Sequence, residues 1–198
     1  MRGARSSGAS LAEALVVTAL LAVAALAAAP AVARLREAGR TGSAARSLAA
    51  KLREQRFRSI ARRRACGIHF EQLSEGWVFR EVVDGNGNGL RTAEIRSGTD
   101  PTVAGPHRVE SLVTGARLGL PPGGPFPEIP PATGSIPASA DPVQFGASDV
   151  VSFTPLGASS SGTLYLTDGA SALSAIVVYG PTARIRVLRY DPAEAAWR

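Results

Sequence analysis

Cysteine and histidine are nearly absent from this chain of 198 residues, which contains only Cys66, His69 and His107. A single cysteine cannot form an intramolecular disulfide or a multi-cysteine metal site, and we expect Cys66 to be a small buried side chain. The two histidines stand at no metal-ligand spacing with each other or with Cys66, so we predict no metal and no other cofactor. Both histidines are expected to be structural.

Catalytic sequence patterns are also missing. The chain has no G-x-S-x-G nucleophile motif, no phosphate-binding loop and no paired-carboxylate motif. We therefore predict that it is not an enzyme and assign no catalytic residue.

The composition limits the fold class. Hydrophobic residues make up 45% of the chain and charged residues 19%, which is too apolar for a disordered protein. The chain has 21 glycines and 14 prolines, which favours long connections over a helical bundle. Its length allows one domain of ordinary size, or a smaller domain with an anchor.

The formal net charge of +6 is concentrated in one segment. Residues 34–64 hold eleven basic and two acidic side chains, a net charge of +9, whereas residues 65–198 carry −4. The basic character therefore belongs to one predicted helix, and the rest of the chain is mildly acidic.

An apolar run extends from Ala9 to Ala29 and is interrupted only by Ser10, Glu13 and Thr18. Its length as a helix matches the hydrocarbon thickness of a bilayer, roughly 30 Å. A carboxylate inside such a helix costs about 2.5 to 3.5 kcal/mol on insertion scales. Glu13 therefore needs an explanation.

Three interpretations of this N-terminus compete. It resembles a secretory signal peptide, with Arg2 and Arg5 before the apolar stretch and a cleavage site at residues 31–33, which would release a soluble β domain. It also fits a plain single-span membrane anchor.

The third interpretation depends on the sequence from Gly8 to Glu13, Gly-Ala-Ser-Leu-Ala-Glu. It resembles the class III signal of type IV pilins and pseudopilins. The resemblance implies cleavage by a prepilin peptidase between Gly8 and Ala9, usually with N-methylation of the new terminus, although the family commonly has Phe where Ala9 stands. It also implies that Glu13 neutralises the N-terminal amine of a neighbouring subunit.

Residues 34–64 are predicted to continue this helix. An apolar stripe recurs at steps of mostly three or four residues and is expected to pack on the following sheet, while the arginine-rich faces are solvated. The stripe consists of Leu35, Ala38, Gly42, Ala45, Leu48, Ala49, Leu52 and Ile60. Pro30, which resembles a proline common in pilin helices, is expected to bend or interrupt the helix.

Beyond Arg64 the apolar pattern alternates, as in strands. The predicted strands are 66–70, 76–83, 92–96, 107–114, 149–154, 162–168, 173–179 and 183–190. Residues 115–148 are proline-rich and are expected to form a long loop. The predicted organisation is a leader at 1–8, a helix at 9–64 whose segment 9–29 spans the membrane, and an antiparallel β domain at 65–198. The predicted class is α+β.

The order of these features resembles, more narrowly, the H-type pseudopilins of type II secretion systems and the minor pilins of the GspH/FimT family. The matching segments are 45–48, 52–53, 77–79, 84–89, 151–157, 162–166, 176–178 and 184–187. The resemblance implies a pilin-like fold, a single-pass inner-membrane location with the β domain in the periplasm, and assembly with other pilin or pseudopilin subunits in a pseudopilus or pilus.

The sequence Asp84-Gly-Asn86-Gly-Asn88-Gly89 has two interpretations. Oxygen-bearing side chains at positions 1, 3 and 5 with glycine at 6 resemble a calcium loop, but position 12 is Ile95. A turn whose glycines and asparagines adopt positive φ explains the same residues and is favoured.

Arg184 and Arg186 are two residues apart on a predicted strand and should share one face. In DNA-uptake minor pilins a Gly-Arg-x-Arg motif contacts DNA; here Ala183 replaces the glycine. A DNA-binding minor pilin is therefore an alternative function, disfavoured by the acidic balance of residues 65–198. The simpler interpretation is a charged strand edge that discourages aggregation.

Overall fold

The computed structural model describes residues 11–198, and for residues 29–38 it describes the helix without its side chains. The chain is α+β, with an N-terminal apolar helix followed by antiparallel sheets. The described chain divides into two compact units between Arg36 and Glu37.

Two helices and twelve strands make up the regular structure of the described residues. In chain order they are α1 (Leu11–Arg62), β1 (Cys66–Leu73), β2 (Gly76–Val83), α2 (Thr92–Ser97), β3 (Thr102–Arg108), β4 (Arg117–Leu118), β5 (Phe126–Pro127), β6 (Ser135–Ile136), β7 (Val143–Gln144), β8 (Val150–Phe153), β9 (Gly162–Thr167), β10 (Leu173–Tyr179), β11 (Arg184–Asp191) and β12 (Ala196–Trp197).

Helix α1 is rich in alanine and leucine, the residues with the highest helix propensity. It is assigned as one helix through Pro30, so the expected interruption of the helix at that residue is not seen. It ends where Arg63 adopts a left-handed conformation (φ 53°) and the Arg64 N–H bonds to the Ser59 carbonyl.

Two large antiparallel sheets follow, and β5 and β6 form a separate two-stranded sheet. One has the strand order β3-β2-β1-β8, and the other has the order β12-β11-β10-β9-β4, with β7 also paired to β9. Strands β1 and β2 form a hairpin in which Leu73 is opposite Gly76, whose φ of 113° suits the tight connection.

The main core lies between the second half of α1 and one face of both sheets. Small side chains of the helix let the backbones approach closely, and aromatic and aliphatic side chains of the strands fill the space around them. The fully buried members include Ala44, Ala45, Leu48, Ala49, Leu52, Ile68, Phe79, Phe153, Leu164 and Ile176.

The predicted apolar stripe of α1 is confirmed from Gly42 to Leu52, and Leu35 and Ala38 lie outside the residues whose side chains are described. The prediction was wrong at Ile60, which is 47% exposed. Gln55 and Ser59 occupy the inward face of the last two turns instead, because the helix meets polar groups there: the Glu81 carboxylate on β2 and the Thr154 carbonyl just after β8.

A second, smaller core covers the opposite face of the larger sheet. Phe126 and Ile136, from the segment predicted to be a loop, pack on Tyr165 and Leu173. Trp197 closes this cluster, and its Nε1–H donates to the Pro127 carbonyl at 2.7 Å. Segment 115–148 therefore contains four two-residue strands: β4 and β7 pair with the outer strand β9, and β5 and β6 pair with each other above the apolar sheet face.

Two predicted strands were placed wrongly. Residues 92–96 belong to helix α2, because the N–H groups of Glu94 and Ile95 bond back to the Arg91 carbonyl and Gly98 ends the turn at φ 81°. The strand expected at 107–114 ends at Arg108 and gives way to a 3₁₀ turn that begins at the buried Val109. Strand β3 starts earlier, at Thr102, and contains Pro106, as an edge strand can.

Candidate functional site

The first part of α1 is an apolar surface that the described chain leaves uncovered. Leu11–Ala28 has a mean hydropathy of 2.3 and none of it is buried. Eight of its leucine and valine side chains are at least half exposed. By length and composition this one helix could cross a membrane.

Glu13 lies in the first turn of α1, within this apolar segment, and its side chain is exposed. A carboxylate near a helix N-terminus is favourably placed in the field of the helix dipole. Gly8 and Ala9, the predicted cleavage position, lie outside the described residues. Pro30 is within α1, at a position whose side chain is not described.

The second half of α1 docks on the smaller sheet through a buried carboxylate that the sequence patterns did not reveal. Glu81, on β2, is 1% exposed and faces the helix. It accepts hydrogen bonds from Lys51 Nζ at 3.0 Å and Gln55 Nε2 at 2.8 Å, and it also pairs with Arg58. Glu54 bridges the same two cations from the helix surface.

The electrostatics of this cluster favour the ionised carboxylate. Burial by itself raises the pKa of Glu81, but the hydrogen bonds from Lys51 and Gln55 and the charges of Lys51 and Arg58 outweigh it, so the pKa is lowered. The hydrogen bond to Glu81 raises the pKa of Lys51 correspondingly. The sequence pattern had suggested that the basic side chains of α1 are solvated. Lys51 and Arg58 instead bind the sheet.

Arg184 and Arg186 share one exposed face of β11, as predicted, while Ile185 and Val187 pack against the main core. Ala183, where the DNA-binding motif has glycine, is buried and adopts a left-handed conformation with φ 49°. That conformation accounts for a preference for glycine at this position. The Arg56 guanidinium donates to the Ala183 carbonyl at 3.5 Å, so α1 reaches the start of this strand.

The Asp84 loop has the geometry of a self-contained turn. Asp84 is buried; its Oδ1 accepts the N–H groups of Asn86 and Gly87, and its Oδ2 accepts that of Gly89. Gly87 and Gly89 have φ of 87° and 90°, as the turn interpretation requires. The amides of Asn86 and Asn88 donate to the Glu94 carboxylate. Within residues 11–198, no group of three or more His, Cys, Asp or Glu side chains converges as a metal site would.

The remaining chemically distinctive side chains occupy structural positions. Cys66 is fully buried, as expected, and burial raises the pKa of its thiol. His69 is 6% exposed on β1, where burial lowers the pKa of its ring. His107 lies on the edge strand β3 with its ring 5.4 Å from that of Phe79.

Comparisons with family models, with curated proteins and with solved structures found no significant match to this chain.

The apolar surface of Leu11–Ala28 yields a test of membrane insertion. Leu20 lies near the middle of the segment and is 66% exposed. Leu20→Arg should reduce the inserted fraction strongly, since a central arginine costs about 2.5 to 3.5 kcal/mol on insertion scales. Protease protection in microsomes measures this fraction, and Leu20→Ala is the size control. Equal insertion of both variants would show that this helix does not span the bilayer.

The Glu81 cluster predicts a large stability loss on neutralisation. Glu81→Gln should lower the free energy of unfolding by about 2 to 4 kcal/mol, because cations directed at a buried carboxylate lose their partner. Glu75→Gln, which removes an exposed pair with Arg108, should cost at most about 1 kcal/mol. Urea unfolding of the full chain in a mild detergent, followed by tryptophan fluorescence, compares the two variants.

The same cluster fixes a pH dependence. The folded pKa of Glu81 is below its ordinary value of about 4.3. The ionised carboxylate therefore contributes fully to the free energy of unfolding above the ordinary pKa, and this contribution is lost as the pH falls through the folded pKa. The stability difference between wild type and Glu81→Gln should therefore shrink on acidification below about pH 4. A difference independent of pH would contradict an ionised Glu81.

Proposed function

We propose that this protein is a minor pseudopilin or pilin subunit, a structural protein that is processed by a prepilin peptidase and assembled into a type II secretion pseudopilus or a type IV pilus. The observation that carries the proposal is the exposed apolar helix Leu11–Ala28 with one carboxylate, Glu13, in its first turn. In the sequence, Gly8 and Ala9 precede this segment by a single intervening residue, Ser10, and the stretch from Gly8 to Glu13 resembles a class III signal.

The exposed helix needs two environments at different stages. Before assembly a bilayer would cover its apolar side chains, and after assembly the equivalent helices of neighbouring subunits would do so. Glu13 is costly in either environment unless a positive charge meets it. The amine released by cleavage before Ala9 is such a charge, supplied by a neighbouring subunit.

The β domain supports the same proposal in general terms. The second half of α1 is anchored by small side chains and by the Glu81 cluster on an antiparallel sheet domain. In this proposal the domain is a pilin-like head in the periplasm, and the inner membrane holds the helix of the unassembled subunit.

The first test is the N-terminus and intact mass of the protein recovered from native membranes. A terminus at Ala9, with or without a methyl group, is the expected result. A terminus at Arg34 would instead mean removal of a signal peptide and release of a soluble domain. An intact Met1 would leave only a membrane anchor.

Glu13 should be needed for assembly and not for processing. We expect Glu13→Gln to be cleaved and inserted normally but to be reduced about tenfold or more in sheared filament fractions, because the neutral amide cannot pair with a buried ammonium. Glu75→Gln, at an exposed residue of the β domain, is the matched control. Wild-type incorporation of Glu13→Gln would rule out the proposed charge pairing.

A further inference from the structure

Among the described residues, strand β11 leaves most of one edge of the larger sheet unpaired. It pairs with β10 from Arg184 to Arg189, whereas β12 covers only Tyr190 and Asp191 in register. Arg189 and Arg198 exchange two backbone hydrogen bonds, of 2.8 and 2.9 Å, on the β12 side. The N–H and C=O groups of alternate residues in an antiparallel strand point to the same side. Those of Ile185 and Val187 therefore point to the same side as those of Arg189, but β12 does not extend far enough to pair with them.

Another outer strand, β3 of the smaller sheet, is blocked in the ways that proteins commonly use. Strand β3 carries Pro106, which has no N–H to donate, and its pairing with β2 shifts register around Glu81. Such features prevent a further strand from pairing with β3. The segment Arg184–Leu188 contains no proline, and its pairing with β10 is regular throughout.

The open edge borders a depression between β11 and α1. Arg53, Arg56 and Phe57 line it from the helix, and Ala183, Arg184 and Ile185 line it from the strand side. Its volume of about 410 Å³ falls within the range of about 300 to 1,000 Å³ typical of binding pockets. Phe57 is 70% exposed, so an apolar ring is available to a partner there.

Three arginines around this edge have no acidic partner in the part of the chain that the structure describes. Within the described residues, Arg53, Arg184 and Arg186 form no ion pair, whereas Lys51 and Arg58 of the same helix are paired with Glu81. Arg53 and Arg56 lie on the helix side of the edge, and Arg184 and Arg186 lie on the opposite face of the strand. An added strand would therefore place alternate side chains near arginines on both of its faces.

We propose that the open edge of β11 binds an extended acidic segment of another protein by strand addition, with alternate carboxylates toward Arg184 and Arg186 and the apolar side chains between them toward Phe57. The proposal concerns only the β domain and α1 from Arg53 onward, and it does not depend on the proposed pilus or pseudopilus role. A polypeptide fits better than DNA, because Ile185 and Val187 present carbonyl acceptors as well as N–H donors. Phosphates only accept hydrogen bonds, whereas another backbone satisfies both groups.

The test uses a fluorescent peptide of about eight residues that alternates glutamate and valine, titrated with the full chain in detergent micelles. Fluorescence anisotropy should show saturable binding that weakens with salt. A peptide of the same sequence, N-methylated at alternate residues on its pairing edge, keeps the charge and loses the edge hydrogen bonds. It should bind at least about fivefold more weakly.

Variants of the protein separate the backbone from the charge contribution. Val187→Pro removes an N–H that points away from β10, so the sheet should stay intact while peptide affinity falls about fivefold or more. Val187→Ala is its control and should bind like wild type. The pair Arg184→Gln and Arg186→Gln should weaken binding about threefold to tenfold at low salt, and Arg96→Gln, an exposed arginine on α2, should not.

Four results would overturn the proposal. Absence of saturable peptide binding is the first. Binding that survives N-methylation and Val187→Pro but is lost with the arginines would be non-specific attraction. Tighter binding of a duplex DNA than of the peptide, with dependence on Arg184 and Arg186, would assign the surface to nucleic acid. Dimers in sedimentation velocity that Val187→Pro abolishes would make a second copy of this chain the occupant.

Discussion

The contact between the second half of α1 and the sheets is the interaction on which the β domain depends. Small side chains from Ala44 to Ala49 let the helix approach closely, and Leu48 and Leu52 fill the core. Within one turn of Leu52 the apolar face ends, and the helix is attached through Lys51, Gln55 and Arg58 to Glu81. A buried carboxylate held by three donors tolerates little displacement of the helix, because each lost bond leaves charge or polarity buried without compensation. The cluster thus attaches α1 to the sheet and also determines where along the sheet the helix lies.

Two parts of α1 satisfy opposite physical requirements. Leu11–Ala28 exposes its apolar side chains throughout, whereas residues 41–59 turn a narrow face toward the sheets. Water is a poor solvent for the first part, and its length and composition would let it cross a membrane. The apolar face of the second part is buried by the domain itself. This division is the physical basis of the proposed assembly role, in which one helix serves both the membrane and the folded head.

The sheet edges differ in a way that bears on partners. A regular open edge is a hazard, since any extended chain can pair with it. The domain blocks β3 with a proline and with shifts in register, yet it leaves Arg184–Leu188 accessible beside exposed Phe57. The surrounding arginines repel other basic edges and attract acidic ones. The edge can therefore discourage aggregation with most chains and still admit a partner of suitable charge, so the protective interpretation and the docking proposal are compatible.

Local pattern by itself determined much of this protein: the apolar helix with Glu13, the stripe from Gly42 to Leu52, most central strands, and the shared face of Arg184 and Arg186. These features follow from helix and strand periodicity, which each segment carries within its own residues. Tertiary structure decided the rest. Glu81 became a buried anchor because β2 places it opposite Lys51 and Gln55, and Ile60 became exposed because the helix turns it away from the sheets. Segment 115–148 formed short strands because β9 offered a pairing edge to β4 and β7 and because the apolar face of the larger sheet held the β5–β6 pair. The edge of β11 that faces away from β10 is unpaired because β12 is short. The residue pattern of β11 itself gives no information about the length of β12.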